Sequence, residues 1–220
     1  MKPDNIKRNI QKKIQIPAQC GTLEGQIYLG NDVQKNPIGV LICHPHPQFG
    51  GTMANNVVRS LYRHFKKKGF PSLRFNFRGV GSSSGSYSGG KGEMRDVMDA
   101  KNILIDTTGI SQIVLIGYSF GAAVAGGILE DSGDVQSFVA VSYPFTFISD
   151  FIKKAHVPIP KLFVMGDKDD FTSLQAFHKN VNAMPDPKNK KIFAGVNHFW
   201  RNKESELVDY IWKWLARKLP

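Results

Sequence analysis

The chain has 220 residues, of which 41% are hydrophobic and 21% are charged. These proportions are typical of globular proteins and exclude a disordered or low-complexity chain. No Pro- or Ser-rich linker divides the sequence. We therefore predict one domain over residues 1–220, with residues 1–12 as a basic N-terminal extension.

The formal net charge is +11, from 29 Lys and Arg residues against 18 Asp and Glu residues. The basic residues are scattered along the chain, which favours solvated faces over a nucleic-acid surface. No DNA- or RNA-binding motif accompanies them, so we expect no nucleic-acid partner. The sequence leaves the oligomeric state open, and a homo-oligomer is compatible with it.

The first ten residues contain no apolar segment, so we expect no secretory signal peptide. The apolar, uncharged run of residues 113–129 is shorter than a membrane span and contains a Gly-Tyr-Ser-Phe-Gly turn. We therefore predict a buried strand and helix there and no membrane span. Cys20 and Cys43 form no disulfide or metal pattern, which predicts free thiols in a cytoplasmic protein.

Apolar patterning predicts alternating strands and helices over most of the chain. The predicted strands are 11–16, 23–29, 38–43, 71–77, a strand that begins at Ile113, 136–142, 161–165 and 190–193. The predicted helices are 55–68, 93–107, 122–129, 173–183 and 204–218. This alternation predicts an α/β fold with a mostly parallel, eight-stranded sheet that is covered by helices on both faces.

Residues 113–121 read Ile-Val-Leu-Ile-Gly-Tyr-Ser-Phe-Gly, a strand that runs into Gly-x-Ser-x-Gly, and an apolar helix-forming run follows. This order is what a nucleophile elbow needs, because the serine must sit on a strained strand-to-helix turn. Residues 81–85 fit the same pattern, but Gly79 breaks the preceding strand and no helix can open after them. We therefore predict Ser119, and not Ser83, as the nucleophile; the competing interpretation is a buried serine in a core turn.

Three carboxylates crowd the turn after the strand 161–165, which reads Gly-Asp-Lys-Asp-Asp-Phe. Sites in parallel sheets form beyond the carboxyl ends of the strands, and a triad acid must accept the Nδ1–H of the histidine. Asp167, Asp169 and Asp170 all satisfy this requirement from the residues alone. We also expect at least one of them to cap the helix that follows.

A histidine on the loop after the last predicted strand is the candidate base. His198 follows the acids in the chain, which matches the order serine, acid, histidine expected for this elbow. His178 lies inside a predicted helix, whereas His64 and His156 precede the acids. An isolated loop histidine is usually a surface residue, but its placement and order favour His198.

The loop after the strand 38–43 reads His-Pro-His-Pro-Gln-Phe-Gly-Gly. One N–H of an oxyanion hole should come from Phe120, after the nucleophile, and the other from this loop. Prolines have no N–H, which leaves His46 or Gln48, and we favour His46. His44 and His46 also suggest a metal site, but no further ligand stands nearby, so we expect neither a metal nor a cofactor.

Together these residues resemble the α/β-hydrolase superfamily. More narrowly, the chain looks like the small, cap-less bacterial hydrolases with a His-Pro-His-Pro-x-x-Gly-Gly loop, which are related to dienelactone hydrolases and short-chain carboxylesterases. The matching segments are 41–52, 75–85, 117–121, 166–171 and 195–199. The resemblance implies a serine hydrolase with the α/β-hydrolase fold. It also implies Asp169 as the acid, chosen narrowly over Asp170, and an ion-pair role for Arg78.

The predicted function is hydrolysis of small carboxylic esters through a Ser-His-Asp triad and an acyl-enzyme intermediate. Only residues 143–160 are available for a lid, and we predict a short helix there, over 147–154, and an open site. Five aromatic residues are predicted to form an apolar wall for the acyl group, about half of them belonging to the core: Phe49, Tyr143, Phe145, Phe199 and Trp200. Thioester or peptide hydrolysis on the same triad, or a non-catalytic binding protein, are the alternatives.

Overall fold

The computed structural model describes residues 10–31, 37–145 and 150–219. Its strands are β1 (Gln11–Ala18), β2 (Gly21–Tyr28), β3 (Ile38–Cys43), β4 (Ser72–Phe75), β5 (Gln112–Tyr118), β6 (Val135–Val141), β7 (Lys161–Lys168) and β8 (Lys188–Asn197). Its α-helices are α1 (Asn56–Lys67), α2 (Lys91–Thr108), α3 (Phe120–Gly126), α4 (Leu174–Ala183) and α5 (Glu204–Leu215).

The strands form one eight-stranded sheet in the order β1-β2-β4-β3-β5-β6-β7-β8. β2 runs antiparallel to both of its neighbours, β1 and β4. The remaining neighbours pair in parallel, from β4 and β3 through β5 and β6 to β7 and β8. The predicted α/β fold with a mostly parallel, eight-stranded sheet is therefore confirmed.

Helices cover both faces of this sheet. The sheet separates the hydrophobic core into two clusters, one on each face. Buried side chains of α1 and α5 pack with one face, and those of α2, α3 and α4 pack with the other. Every residue of the central strand β3 is buried. Such fully apolar strands are expected in a parallel sheet that is covered on both sides.

This topology places three loops at one edge of the sheet. β5, β7 and β8 run in the same direction, so the residues that follow them lie at a common edge. The paired ends of β7 and β8 are Lys168 and Asn197. The residues that directly follow these two strands are Asp169 and His198, so the strand register alone places an acid beside a histidine.

Some element boundaries differ from the predicted ones. β8 begins two residues before and ends four residues after the predicted strand 190–193. It is an edge strand, where lysines such as those at its start are common. α3 begins at Phe120, earlier than predicted, and ends at Gly126. A 3-10 helix spans Asp150–Ala155, where the helix 147–154 was predicted, and residues 146–149 lie outside the described part.

The predicted extension, residues 1–12, lies mostly outside the described residues, and its last two residues begin β1. Cys20 and Cys43 are both free thiols, as predicted. Within the ranges that the structure describes, no helix is long and apolar enough to cross a membrane.

Candidate active site

Ser119 sits on a strained turn between β5 and α3. Its φ of 54° and ψ of −122° lie in a region that non-glycine residues rarely adopt. The turn is held by the Ser119 N–H, which donates to Val141 O, and by Ser119 O, which accepts from the N–H groups of Ala122 and Ala123. This is the geometry of a nucleophile elbow, which lifts the hydroxyl clear of the sheet.

The two glycines of the Gly-x-Ser-x-Gly pattern permit contacts that a side chain would block. A Cβ on Gly117 would lie 2.4 Å from Ala122 Cα, and one on Gly121 would lie 2.4 Å from His44 O. Real Cβ atoms do not approach backbone atoms this closely. The glycines therefore let α3 pack directly onto the ends of β3 and β5.

Hydrogen bonds join Ser119, His198 and Asp169 in a chain. His198 Nε2 lies 2.9 Å from Ser119 Oγ. His198 Nδ1 lies 2.8 Å from Asp169 Oδ2 and 3.0 Å from Oδ1. All three residues are buried. The structure thus brings together the three residues that the sequence analysis selected, at distances that suit proton transfer.

The three carboxylates of the β7 turn have different surroundings. Asp169 contacts His198, and its Oδ1 also accepts from the N–H groups of Phe171 and Thr172. Asp167 accepts from the Gly195 N–H instead, and Asp170 is exposed.

None of the three carboxylates caps the following helix, so that prediction is wrong. The N-cap of α4 is Ser173, whose Oγ accepts from the Ala176 N–H. The carboxylates precede the cap position, and Asp169 holds the turn rather than the helix, because it accepts from the N–H groups of Phe171 and Thr172.

Aromatic rings and a backbone contact fix the position of His198. The Tyr118 hydroxyl donates to His198 O over 2.7 Å. The ring of Phe171 lies 4.4 Å from the imidazole and that of Phe199 lies 5.8 Å from it, centroid to centroid. Phe171 was not singled out from the sequence; its position two residues after the triad acid could have identified it.

The loop after β3 is organised around His46. His46 O accepts from the N–H groups of Phe49 and Gly51, and His46 Nδ1 accepts from the Gln48 N–H over 3.2 Å. The Gln48 N–H is therefore already occupied, whereas Phe120 is the first residue of α3, where an N–H has no partner within the helix. His46 and Phe120 meet through their rings, whose centroids are 4.7 Å apart.

His44 is a buried structural residue with both ring nitrogens engaged. Its Nε2 accepts from the Phe77 N–H over 3.0 Å, so its Nδ1 carries the proton and donates to Pro45 O. Burial lowers the pKa of His44 to about 4, which keeps the ring neutral. In the described residues, no group of three His, Cys, Asp or Glu side chains is arranged to hold a metal.

Three other polar residues that the sequence analysis named form ion pairs or polar contacts away from the triad. Arg78 forms a buried ion pair with Asp96, whose Oδ1 lies 2.7 Å from Arg78 Nη2. Ser83, in the second Gly-x-Ser-x-Gly match, donates to Asn76 O. His178 lies in α4, where its Nδ1 is 3.0 Å from Lys190 Nζ.

The aromatic residues predicted to line the site fall into two groups. Phe49 and Phe199 are 84% and 50% exposed beside His46 and His198. Tyr143 is 1% exposed and stacks on Phe145 in the core, so its assignment to substrate binding is corrected. Phe145 and Trp200 are buried as well, and the Trp200 indole donates to Ser142 Oγ.

Comparison with known proteins agrees with this architecture. Residues 40–157 match the family described as the alpha/beta hydrolase fold. An uncharacterized protein of Rickettsia prowazekii is 35% identical over 194 residues, which cover 84% of this chain and 81% of that protein.

Two solved structures superpose closely. An alpha-beta serine hydrolase homologue from Coxiella burnetii is 30% identical with a TM-score of 0.83, over 91% of this chain and 95% of that one. A serine hydrolase without lid from Xanthomonas campestris is 27% identical with a TM-score of 0.83, over 96% and 95% of the two chains. With its parallel sheet, its strained serine turn and these matches, the chain belongs to the alpha/beta hydrolase fold family.

Proposed function

We propose that this protein is a serine esterase that cleaves small carboxylic esters through an acyl-enzyme intermediate. The observation that carries the proposal is the hydrogen-bonded chain from Ser119 Oγ through His198 to Asp169. A serine hydroxyl is a weak nucleophile until a base removes its proton. His198 Nε2 is within reach of that proton, and Asp169 holds the opposite ring nitrogen.

In the first half of the reaction, His198 accepts the proton of Ser119 as Oγ attacks the ester carbonyl carbon. The tetrahedral oxyanion is bound by the N–H groups of Phe120 and His46. His198 then donates the proton to the alcohol oxygen, the carbon–oxygen bond breaks, and the acyl group stays on Ser119. Asp169 stabilises the imidazolium that forms in between.

In the second half, water replaces the alcohol. His198 accepts a proton from water, the hydroxide attacks the acyl carbon, and Ser119 leaves with the proton that His198 returns. The products are the carboxylic acid and free enzyme. The residues named supply the nucleophile, the base and the oxyanion donors, so the mechanism invokes no metal or cofactor.

The preference for small apolar substrates is supported by an aromatic rim around the triad, made of Phe49, Phe171 and Phe199. All three are among the few large hydrophobic side chains that are exposed in the described residues. Exposed apolar groups around a polar site are typical of ligand-binding surfaces. A short acyl or aryl group that packs on the rim would bury this surface while its carbonyl lies at Ser119.

Replacing Ser119 with alanine tests the proposal. We expect kcat for an aryl ester to fall about 10⁴- to 10⁶-fold, because the nucleophile is lost while the fold remains. The matched control is Ser83→Ala, in the second Gly-x-Ser-x-Gly segment, which should keep kcat within a factor of about two to three. Ester hydrolysis that survives in Ser119→Ala would overturn the assignment.

The choice of an ester over a thioester is tested with the wild-type protein. Initial rates are measured with aryl esters and with acyl-CoA thioesters of the same acyl group. We expect a higher kcat/KM for the esters. A higher kcat/KM for the thioesters would replace esterase by thioesterase and leave the triad mechanism unchanged.

A further inference from the structure

A polar cleft of about 370 Å³ lies far from the triad, between the ends of β2 and α1. It is lined by Tyr28, Asn31, Arg63, Lys66 and Lys67. Tyr28 pairs with Ser72, the first residue of β4. Because β4 runs parallel to β5, the cleft is at the amino edge of the parallel strands, whereas Ser119 is at the carboxyl edge. The cleft is therefore separate from the proposed esterase site.

Among the residues that the structure describes, the cations of this cleft have no acidic partner. Arg63 and Lys67 are exposed and one helical turn apart on α1, and neither forms an ion pair with any residue that the structure describes. Lys66 Nζ donates to a neutral acceptor, Gln11 Oε1, over 2.6 Å. α1 itself contains no acidic residue. Like charges at this spacing repel each other, and a multivalent anion in the cleft would offset that repulsion.

The neutral residues of the cleft also present donors. The Tyr28 hydroxyl donates to Asn31 Oδ1, so the oxygen of the Asn31 amide is occupied and its Nδ2 remains as a donor. The lining thus offers ammonium, guanidinium and amide N–H groups. These groups favour a ligand that is rich in acceptors and carries more than one negative charge.

We propose that this cleft binds the phosphoryl group of a phosphorylated ligand. A carboxylate carries a single charge, whereas a phosphate monoester carries close to two at neutral pH and has three strong acceptor oxygens. Arg63 matches such a group with its planar fork of donors, and Lys66 and Lys67 supply point charges. The volume of the cleft is within the range of small-molecule sites.

The test is isothermal titration of the full chain with inorganic pyrophosphate in 0.1 M NaCl. The cleft variant is Arg63→Gln/Lys67→Gln. The matched control is Arg95→Gln/Lys179→Gln, which removes the same two charges from exposed positions on α2 and α4, across the sheet. We expect one saturable site in the wild type and in the control. The cleft variant should bind at least about tenfold more weakly.

A second arm identifies the source of the phosphoryl group. The three proteins are sedimented with vesicles of phosphatidylcholine containing about 30% phosphatidic acid, whose headgroup is a phosphate monoester. Pyrophosphate binding without sedimentation supports a soluble ligand; sedimentation that only the cleft variant loses supports a lipid headgroup. Equal behaviour of the cleft and control variants in both arms, or no binding by the wild type in either, overturns the proposal. Folding of each variant is checked by thermal unfolding.

Discussion

At the scale of single residues, Asp169 illustrates what the sequence could and could not decide. The turn 166–171 was predicted to supply the acid, but the residues alone left three carboxylates equivalent. Only the resemblance favoured Asp169, and the contact with His198 Nδ1 agrees with that choice. The difference arises from the pairing of Lys168 with Asn197, a register between distant strands that local sequence does not encode.

Asp169→Asn should lower kcat for ester hydrolysis about 10⁴-fold, because an amide cannot hold the imidazole in the correct tautomer or stabilise its protonated form. Asp170→Asn, at the exposed neighbouring carboxylate, should leave kcat nearly unchanged. The two variants are compared with the wild type under saturating ester. A larger loss in Asp170→Asn than in Asp169→Asn would reassign the acid.

The burial of aromatic side chains near the site was the property that the sequence predicted least well. Tyr143 was predicted to form part of an apolar wall for the acyl group, yet its ring packs inward against Phe145. Phe171, which contacts the imidazole, was missed. Side-chain direction after a strand depends on loop conformation, and composition does not fix it.

His44 makes the stability of the protein depend on pH. Burial lowers the pKa of His44 from its ordinary value of 6.5 to about 4. Between these values the unfolded chain binds a proton that the folded chain does not, so stability falls as pH drops from 6.5 to 4. The contribution of this one group over that window is at most about 3 kcal/mol.

The measurement is the free energy of unfolding of the wild type and of His44→Gln, taken from urea titrations between pH 7 and pH 4. Since glutamine does not titrate, the gap between the two proteins should narrow by up to about 3 kcal/mol as pH falls. A constant gap contradicts this account. If His44→Gln does not fold, NMR titration of the wild type should find the His44 ring neutral at pH 5.

At the scale of elements, the strand-turn-helix unit around Ser119 was predictable because its sequence is strongly patterned. An apolar β-branched run, two glycines and a small-residue helix occur in immediate succession. The polar edge strand β8 was harder to predict, because its lysines contribute no apolar periodicity. Seven of its ten residues pair with β7, and this pairing between distant segments defines the strand.

Gly121→Ala should destabilise the elbow severely. The new Cβ would lie 2.4 Å from His44 O and 2.5 Å from Cys43 O, which are backbone atoms at the end of β3 and at the start of the following loop and cannot move aside cheaply. We expect a loss of about 3 kcal/mol or more in the free energy of unfolding, measured in urea.

Gly133→Ala is the matched control, because a Cβ there meets no atom within 4 Å and the backbone φ is not positive. It should change stability by no more than about 1 kcal/mol in either direction. Equal stability of the Gly121 and Gly133 variants would mean that the close packing of α3 onto β3 is not needed.

At the scale of the whole molecule, the order of motifs along the chain was enough to predict the fold. Strands and helices alternate, and the serine, acid and histidine segments follow the strands that the topology brings to one edge. Surface charge was not predicted as well. The basic residues were interpreted as scattered, yet Arg59, Arg63 and Lys67 recur every four residues and so lie on one face of α1.

A fluorophosphonate probe reports whether Ser119 is an activated nucleophile. Intact mass is measured after treatment of the wild type and of Ser119→Ala. We expect a single adduct on the wild type and none on the variant, because the probe reacts with a serine whose proton a neighbouring base removes. No adduct on the folded wild type, or an adduct that persists in Ser119→Ala, would contradict it.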